Sequence, residues 1–213
     1  MDLSKHRQEY LHGAIDIDSL EPCPFKQFGL WFEEASSSDM LEPNAMILAT
    51  VDTDHCPTQR TVLLKYFDES GFVFFTNYTS RKAVQISANE NVSLLFPWYT
   101  LQRQVEINGT AEKVSTAESI MYFARRPRGS QLGAWVSRQS SIVSTRSVLQ
   151  NKLAEIRAKF ASGAVPMPPF WGGFRVKPKR IEFWQGGINR LHDRIQYRFL
   201  VDDATWERTR LAP

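Results

Sequence analysis

The sequence predicts an α+β protein built around an antiparallel barrel. From residue 45 onward, short runs rich in Val, Ile, Phe and Thr recur between spacers of only a few turn-forming residues. Such spacers close hairpins and are too short for the crossover that a parallel pair needs. The amphipathic helical stretches lie grouped between the strands rather than alternating with them, which separates α+β from a doubly wound α/β chain.

Composition sets the outer limits. A chain of 213 residues can bury a sizeable core, and 42% hydrophobic with 23% charged residues is ordinary for a globular protein. A net charge of +3 does not by itself call for nucleic acid. Charge is nevertheless uneven: no acidic residue lies between Glu118 and Glu155, whereas Arg125, Arg126, Arg128, Arg138, Arg146 and Lys152 do. Such a segment attracts anions. Cys23 and Cys56 sit beside prolines in no metal-type spacing and read as reduced thiols of a cytoplasmic protein. No apolar run approaches the ~20 residues that cross a bilayer, and the N-terminus lacks the apolar stretch of a signal peptide.

Residues 1–20 are polar and without period, so they read as a mobile arm. Phe25, Phe28, Trp31, Phe32 and Ala35 then fall at helical spacing and predict an amphipathic helix over 24–36. Strands follow at Ala45–Val51, Thr58–Phe67 and Phe72–Thr76. Ser80 is a good N-cap for a helix reaching about Ala88. Arg81 and Lys82 occupy its first turn, where cations are unfavourable unless an anion binds there. Strands at Val92–Trp98 and Arg103–Val114 precede Ser115-Thr116-Ala117-Glu118, a capping box. Its helix places Tyr122 and Arg126 on one face and breaks at Pro127. Helices near 130–136 and 145–160 come next, the latter with Val148, Leu149, Leu153 and Ile156 as its core stripe. The last strands are expected at Trp171–Val176, Arg180–Trp184, Arg190–Val201 and Trp206–Leu211.

In the Arg190 strand, alternation puts Arg190, His192 and Arg194 on one face and Leu191, Ile195, Tyr197, Phe199 and Val201 on the other. Three adjacent nitrogen-rich side chains either guard a solvated edge or meet an anion. No G-x-G-x-x-G, Walker loop, H-E-x-x-H or C-x-x-C is present, so a Rossmann dinucleotide site, a P-loop and a zinc centre are disfavoured and no metal is expected. What remains is Arg and Lys at special positions among aromatics and amides. That set suits a flat ring carrying a phosphate, and two separate basic groups, around 60–82 and 122–130, suggest two phosphates.

Taken in order, the stretches Gln59-Arg60-Thr61-Val62-Leu63-Leu64-Lys65, Ser80-Arg81-Lys82-Ala83, Leu94-Leu95-Phe96-Pro97-Trp98, Gly133-Ala134-Trp135-Val136-Ser137 and Arg138-Gln139-Ser140-Ser141 are distinctive. So are Phe170-Trp171-Gly172-Gly173-Phe174-Arg175, Glu182-Phe183-Trp184-Gln185-Gly186-Gly187, Arg190-Leu191-His192-Asp193-Arg194 and the ending Arg210-Leu211-Ala212-Pro213. Together they closely resemble the pyridoxine (pyridoxamine) 5′-phosphate oxidase family, from about residue 6 to the last residue. The resemblance implies an FMN-binding antiparallel split β-barrel with peripheral helices over 21–213, preceded by an arm over 1–20 that acts as a lid. It also implies a homodimer with active sites at the interface. FMN would be held by Arg60, Thr61, Val62, Leu63, Leu64, Lys65, Phe75, Thr76, Arg81, Lys82 and Gln104, together with Gln139, Ser140, Trp184 and Arg194. The substrate would meet Lys65, Tyr122, Arg126 and Ser130 at its phosphate, Arg190, Leu191 and His192 at its ring, and Arg7, Gln8, Glu9 and Tyr10 from the lid. Arg190 and His192 are the implied catalytic pair.

The implied reaction oxidises C4′ of pyridoxine or pyridoxamine 5′-phosphate to pyridoxal 5′-phosphate, with dioxygen as acceptor and hydrogen peroxide as product. The resemblance implies that Arg190 orients the substrate and helps remove the proton from the C4′ substituent, with His192 assisting through hydrogen bonds. Because an arginine holds its proton and is a poor base, orientation and electrostatics are its leading expected role. Gly129 and Ile188-Asn189 depart from the family pattern beside site residues. Two rival readings are a split-barrel flavoprotein for another substrate, such as a flavin reductase, and a non-enzymatic binder of pyridoxal phosphate or RNA.

Overall fold

The computed structural model describes all residues except Ser4, Arg7, Gln8, Leu11, His12, Gly13, Ser137 and Arg138. The assignments of Arg7 and Gln8 to the lid therefore lie outside the described residues. Among those described, nine strands form one antiparallel sheet curled into a split barrel: β1 (Ala45–Val51), β2 (Pro57–Leu63), β3 (Tyr66–Asp68), β4 (Gly71–Asn77), β5 (Asn91–Trp98), β6 (Arg103–Lys113), β7 (Trp171–Gln185), β8 (Asp193–Leu200) and β9 (Thr205–Leu211). The spatial order is β2-β1-β5-β6-β7-β4-β3, and β8 and β9 continue from β7.

One strand makes the split. β7 pairs with β6 from Phe174 to Gln185, but on its other edge Trp171–Val176 pairs with β4 and Arg180–Gln185 with β8. Between those two partners sits Pro178, which has no N–H to offer an outer neighbour. On the β6 side the register shifts at Asn108/Gly109, where a side chain at Gly109 would run into the Lys177 carbonyl. The sequence suggested two strands here, Trp171–Val176 and Arg180–Trp184, on either side of Lys177-Pro178-Lys179. The structure keeps one strand and changes its partner instead.

The helix α1 (Pro24–Ser37) starts with proline in its first turn and buries Phe25, Phe28, Trp31 and Ala35 against the sheet. Phe28 is fully buried, with ring centroids of Phe67, Phe72 and Phe96 at 4.8, 4.9 and 5.0 Å, mostly edge to face. α2 (Arg81–Ala88) begins where expected, with the Ser80 hydroxyl accepting from the Ala83 amide. A second, smaller core joins α3 (Thr116–Arg125), α4 (Arg128–Val136) and α5 (Arg146–Lys159) around Phe123, Leu132, Ile156, Val165 and Trp171.

Several expectations are corrected. The strand predicted over Thr58–Phe67 is two, because Leu64 and Lys65 leave the β1 ladder and the Lys65 amide bonds the Val73 carbonyl of β4. Half of the capping box forms: Ser115 accepts from the Glu118 amide, but the Glu118 carboxylate turns to Tyr66 and Arg175. In α5 only Ile156 is buried; Leu149 and Leu153 are half-buried and Val148 is exposed. The last long strand begins at Asp193, not Arg190, since Ile188–Arg190 is a single 3-10 turn. Its apolar face holds only in part: Ile195 and Tyr197 are buried and Phe199 is half-buried, while Leu191 and Val201 are exposed. From Ile15 the N-terminal segment is docked. The Ile15 amide bonds Asp193, and Arg208 and Arg210 donate to the carbonyls of Ile15, Ile17 and Leu20.

Candidate functional site

A cavity of about 660 Å³ opens between the β2–β4 side of the barrel and the α3–α4 layer. Such a volume lies within the range of ligand pockets, about 300–1,000 Å³. One wall is strand: Thr61, Val62 and Leu63 of β2, Lys65 just beyond it, and Phe75 and Thr76 of β4. The other is helical: Tyr122 of α3, Arg126 at its C-cap, and Ser130 at the start of α4. Lys82 and Gln139 close the α2 end. All these positions were singled out in the sequence, and the fold brings them together. Asn77, Arg125, Pro127, Gly133, Ala134 and Trp171 also line the cavity and had not been assigned to the site, although Arg125 was named in the basic segment and Gly133, Ala134 and Trp171 in the family stretches.

Among the described residues the lining carries four cations and no carboxylate. Lys82 is buried, with its ammonium donating to Thr76 Oγ1 at 3.3 Å and Gln139 Oε1 at 3.1 Å, both neutral acceptors. Burial, reinforced by Arg60, pulls its pKa down to about 8. Lys65 is lowered by desolvation and then by Arg126, and Arg126 is lowered by desolvation. Among the described residues Arg126 Nη1, which is buried, has no hydrogen-bond partner, while its guanidinium lies 4.8 Å from the Trp171 ring. Phe75 stacks on Tyr122 at 4.0 Å and on Trp171 at 5.2 Å, giving a flat aromatic floor. Cations without counter-charges beside an aromatic floor suit a ring that bears a phosphate.

Arg60 and Leu64 do not line this cavity. The Arg60 guanidinium points back into the barrel wall, donating to Leu48 O, Thr50 Oγ1, Thr58 Oγ1 and Gln85 Oε1 at 2.6–3.3 Å. Leu64 is buried in the main core. Arg81 and Ser140 meet at the start of α2, where the Arg81 amide donates to Ser140 Oγ at 3.3 Å.

The remaining residues gather elsewhere. Arg190 and His192 line a second cavity of about 480 Å³ with His6, Glu9, Tyr10, Gly187 and Asn189. Tyr10 lies edge-on to Trp184 at 5.6 Å and to His192 at 5.4 Å. Leu191 is exposed beside them. Arg194 faces a third cavity of about 230 Å³ with Glu106, Glu182 and Gln196. The expected row of Arg190, His192 and Arg194 on one face therefore does not form. The 3-10 turn rotates Arg190 away, and Glu182 neutralises Arg194. Gln104 pairs with Trp184 across β6 and β7.

An antiparallel split barrel with a basic, carboxylate-free cavity and a second cationic loop defines a protein built to take phosphorylated ring compounds. Sequence models of the family match in two parts: "Pyridoxamine 5′-phosphate oxidase" over residues 32–160 and "Pyridoxine 5′-phosphate oxidase C-terminal dimerisation region" over 171–213. The chain belongs to the pyridoxine/pyridoxamine 5′-phosphate oxidase family and is an oxidoreductase. A pyridoxine/pyridoxamine 5′-phosphate oxidase of Crocosphaera subtropica is 59% identical, and one of Aliarcobacter butzleri 55%, each match covering both chains in full. Among solved structures, PhzG from Burkholderia lata, in complex with tetrahydrophenazine-1-carboxylic acid, superposes with a TM-score of 0.86 at 28% identity, covering 94% of this chain and all of that one. An FMN-binding, pyridoxamine 5′-phosphate oxidase-related protein from Nostoc punctiforme shares the fold, with a TM-score of 0.71 at 16% identity over 92% of this chain and 99% of its own. No described helix is long and apolar enough to cross a membrane.

Proposed function

We propose that the chain, as a homodimer, oxidises pyridoxine 5′-phosphate and pyridoxamine 5′-phosphate to pyridoxal 5′-phosphate, using FMN and passing electrons to dioxygen to give hydrogen peroxide. The observation that carries this reading is that, among the described residues, the buried Arg126 Nη1 has no hydrogen-bond partner and its cavity carries Lys65 and Lys82 but no carboxylate. A buried guanidinium nitrogen without an acceptor is costly unless a ligand supplies one. Family membership supports the reaction class.

The residues present fit FMN. Thr61–Leu63, Lys65, Phe75, Thr76, Lys82 and Gln139 would surround it, with Arg81 and Ser140 at the start of α2. Arg60 would act from behind, bracing β2 and α2 through Thr58 and Gln85. When bound, FMN supplies the hydride acceptor and its reoxidation by dioxygen. Tyr122, Arg126, Ser130 and Lys65 would fix the substrate phosphate. Arg190 and His192 line one other cavity of the same chain and Arg194 a further one, with Trp184 beside His192 and Gln104 paired to Trp184 across the sheet. A second chain paired through the C-terminal region would bring them in. Arg190 then orients the substrate ring, His192 hydrogen-bonds it, and the arm carrying Glu9 and Tyr10 excludes water.

The test is anaerobic. Protein reconstituted with FMN should lose its flavin absorbance on addition of pyridoxamine 5′-phosphate and regain it in air with release of peroxide. A protein that fails to retain FMN, or whose flavin stays oxidised, would overturn the reading. Arg190→Ala that left turnover intact would favour a different substrate.

A further inference from the structure

We propose that His192 works as a neutral hydrogen-bond donor through Nε2, in a tautomer dictated by the main chain of Gly187. This deepens the reading above, on which it rests, by assigning the direction of one hydrogen bond. The Gly187 N–H donates to His192 Nδ1 at 3.1 Å. An amide N–H can only donate, so Nδ1 must present its lone pair there. A flipped ring would offer carbon instead. In a neutral imidazole the single ring proton then resides on Nε2.

The loop is built around that contact. Gly187 is pressed so closely against the Leu191 carbonyl that any Cβ would collide with it. Asn189 and Arg190 both take left-handed backbone, at φ of 54° and 63°, which bends the chain back on itself. The Leu191 amide closes the turn on Ile188 O at 3.0 Å, and the Gly186 amide ties its upstream end to Gln102 O at 2.8 Å. Trp184 at 4.7 Å and Tyr10 at 5.4 Å restrict the imidazole from two further sides. Nε2, on the opposite edge of the ring from Gly187, is the nitrogen left for the cavity that His192 lines with Arg190.

The chemical consequence is directional. A nitrogen that already carries a proton cannot accept one, and Nδ1 can take a proton only by giving up Gly187. His192 is therefore a donor to a substrate oxygen or lone pair and is excluded as the base at the C4′ substituent.

Two measurements on the FMN-loaded protein test this. In 15N-histidine NMR at pH 8, Nδ1 of His192 should show the pyridine-like shift and Nε2 the pyrrole-like one; the reverse overturns the tautomer. His192→Gln keeps an amide donor near the Nε2 position, whereas His192→Asn reproduces only the Nδ1 side. His192→Gln should hold kcat within about tenfold and His192→Asn should lose about a hundredfold, the scale for one preorganised donor. Equal losses, or the opposite ranking, overturn the donor role. A wild type without oxidase activity would sink the functional reading, and the NMR assignment would still decide the tautomer.

Discussion

Glu182 grips Arg194 with both carboxylate oxygens: Nε donates to Oε1 at 2.8 Å and Nη2 to Oε2 at 3.0 Å. The remaining guanidinium nitrogen, Nη1, donates to the Ala212 carbonyl at 2.9 Å, so the end of the chain helps aim the side chain. Glu182 itself is only 12% exposed. Glu182→Gln preserves volume and removes the charge. If Arg194 contacts the flavin, FMN affinity should weaken about tenfold, part of the roughly 1.5–3 kcal/mol that a hydrogen bond to a charged group contributes. Fluorescence titration with FMN reads this directly, and unchanged affinity would remove Arg194 from the cofactor set.

Arg126 makes a trade between stability and binding testable. Its buried Nη1 has no hydrogen-bond partner among the described residues, and its pKa is pulled down by burial. Arg126→Met should raise Tm by about 2–4 °C, what roughly 1 kcal/mol gives in a chain of this size. The same variant should raise KM for pyridoxine 5′-phosphate about a hundredfold while leaving any turnover of unphosphorylated pyridoxine unchanged. A parallel loss with both substrates would show that Arg126 does not read the phosphate.

Lys82 gives a pH dependence whose sign is fixed. Its folded pKa, about 8, lies below the unfolded value of 10.5 because burial, then Arg60, disfavours the charged form. The unfolded chain therefore binds more protons between those values, so this group's destabilisation is full below pH 8 and is relieved as pH rises towards 10.5. A bound phosphate favours the ammonium, so phosphate-ligand affinity should fall as pH rises above 8. Calorimetry from pH 7 to 9.5 should show proton uptake on FMN binding in the wild type and less in Lys82→Met. Equal uptake in both would exclude Lys82 from the phosphate.

Gly186 is the seat of the arm. A Cβ there would lie 2.6 Å from Tyr10 Cδ1 and 2.7 Å from Cγ, although its backbone accommodates alanine. Gly186→Ala should keep Tm within about 2 °C, as one near-neutral substitution does, yet expose the segment before Ile15 to proteases and raise KM. Unchanged proteolysis would mean that Tyr10 seats elsewhere.

Local pattern made some of this legible and not the rest. β1 alternates half-buried and buried along all its residues, and α1 and the Ser80 cap follow from spacing and cap chemistry that a one-dimensional reading can see. The Lys65, Tyr122, Arg126 and Ser130 cluster was found through the family resemblance and the uneven charge, and it converges on one cavity. Arg60 shows what was hidden: its four acceptors come from β1, β2 and α2, which only folding brings together. Arg190 was placed on a strand because alternation cannot reveal two successive left-handed residues. Trp171 and Glu182 carry ordinary strand patterns, and only the cross-strand register shows what they touch.

β7 carries Trp171, beside Arg126, at one end and Trp184, beside His192, near the other. A strand of 15 residues extends to about 50 Å at full stretch. On the proposed pairing, each reaction centre is then assembled from opposite ends of two different polypeptides. Mixing inactive Lys82→Met and Arg190→Ala chains should therefore restore activity, because one in each pair of centres would contain neither lesion. Dilution, in turn, should silence the wild type long before its chains unfold.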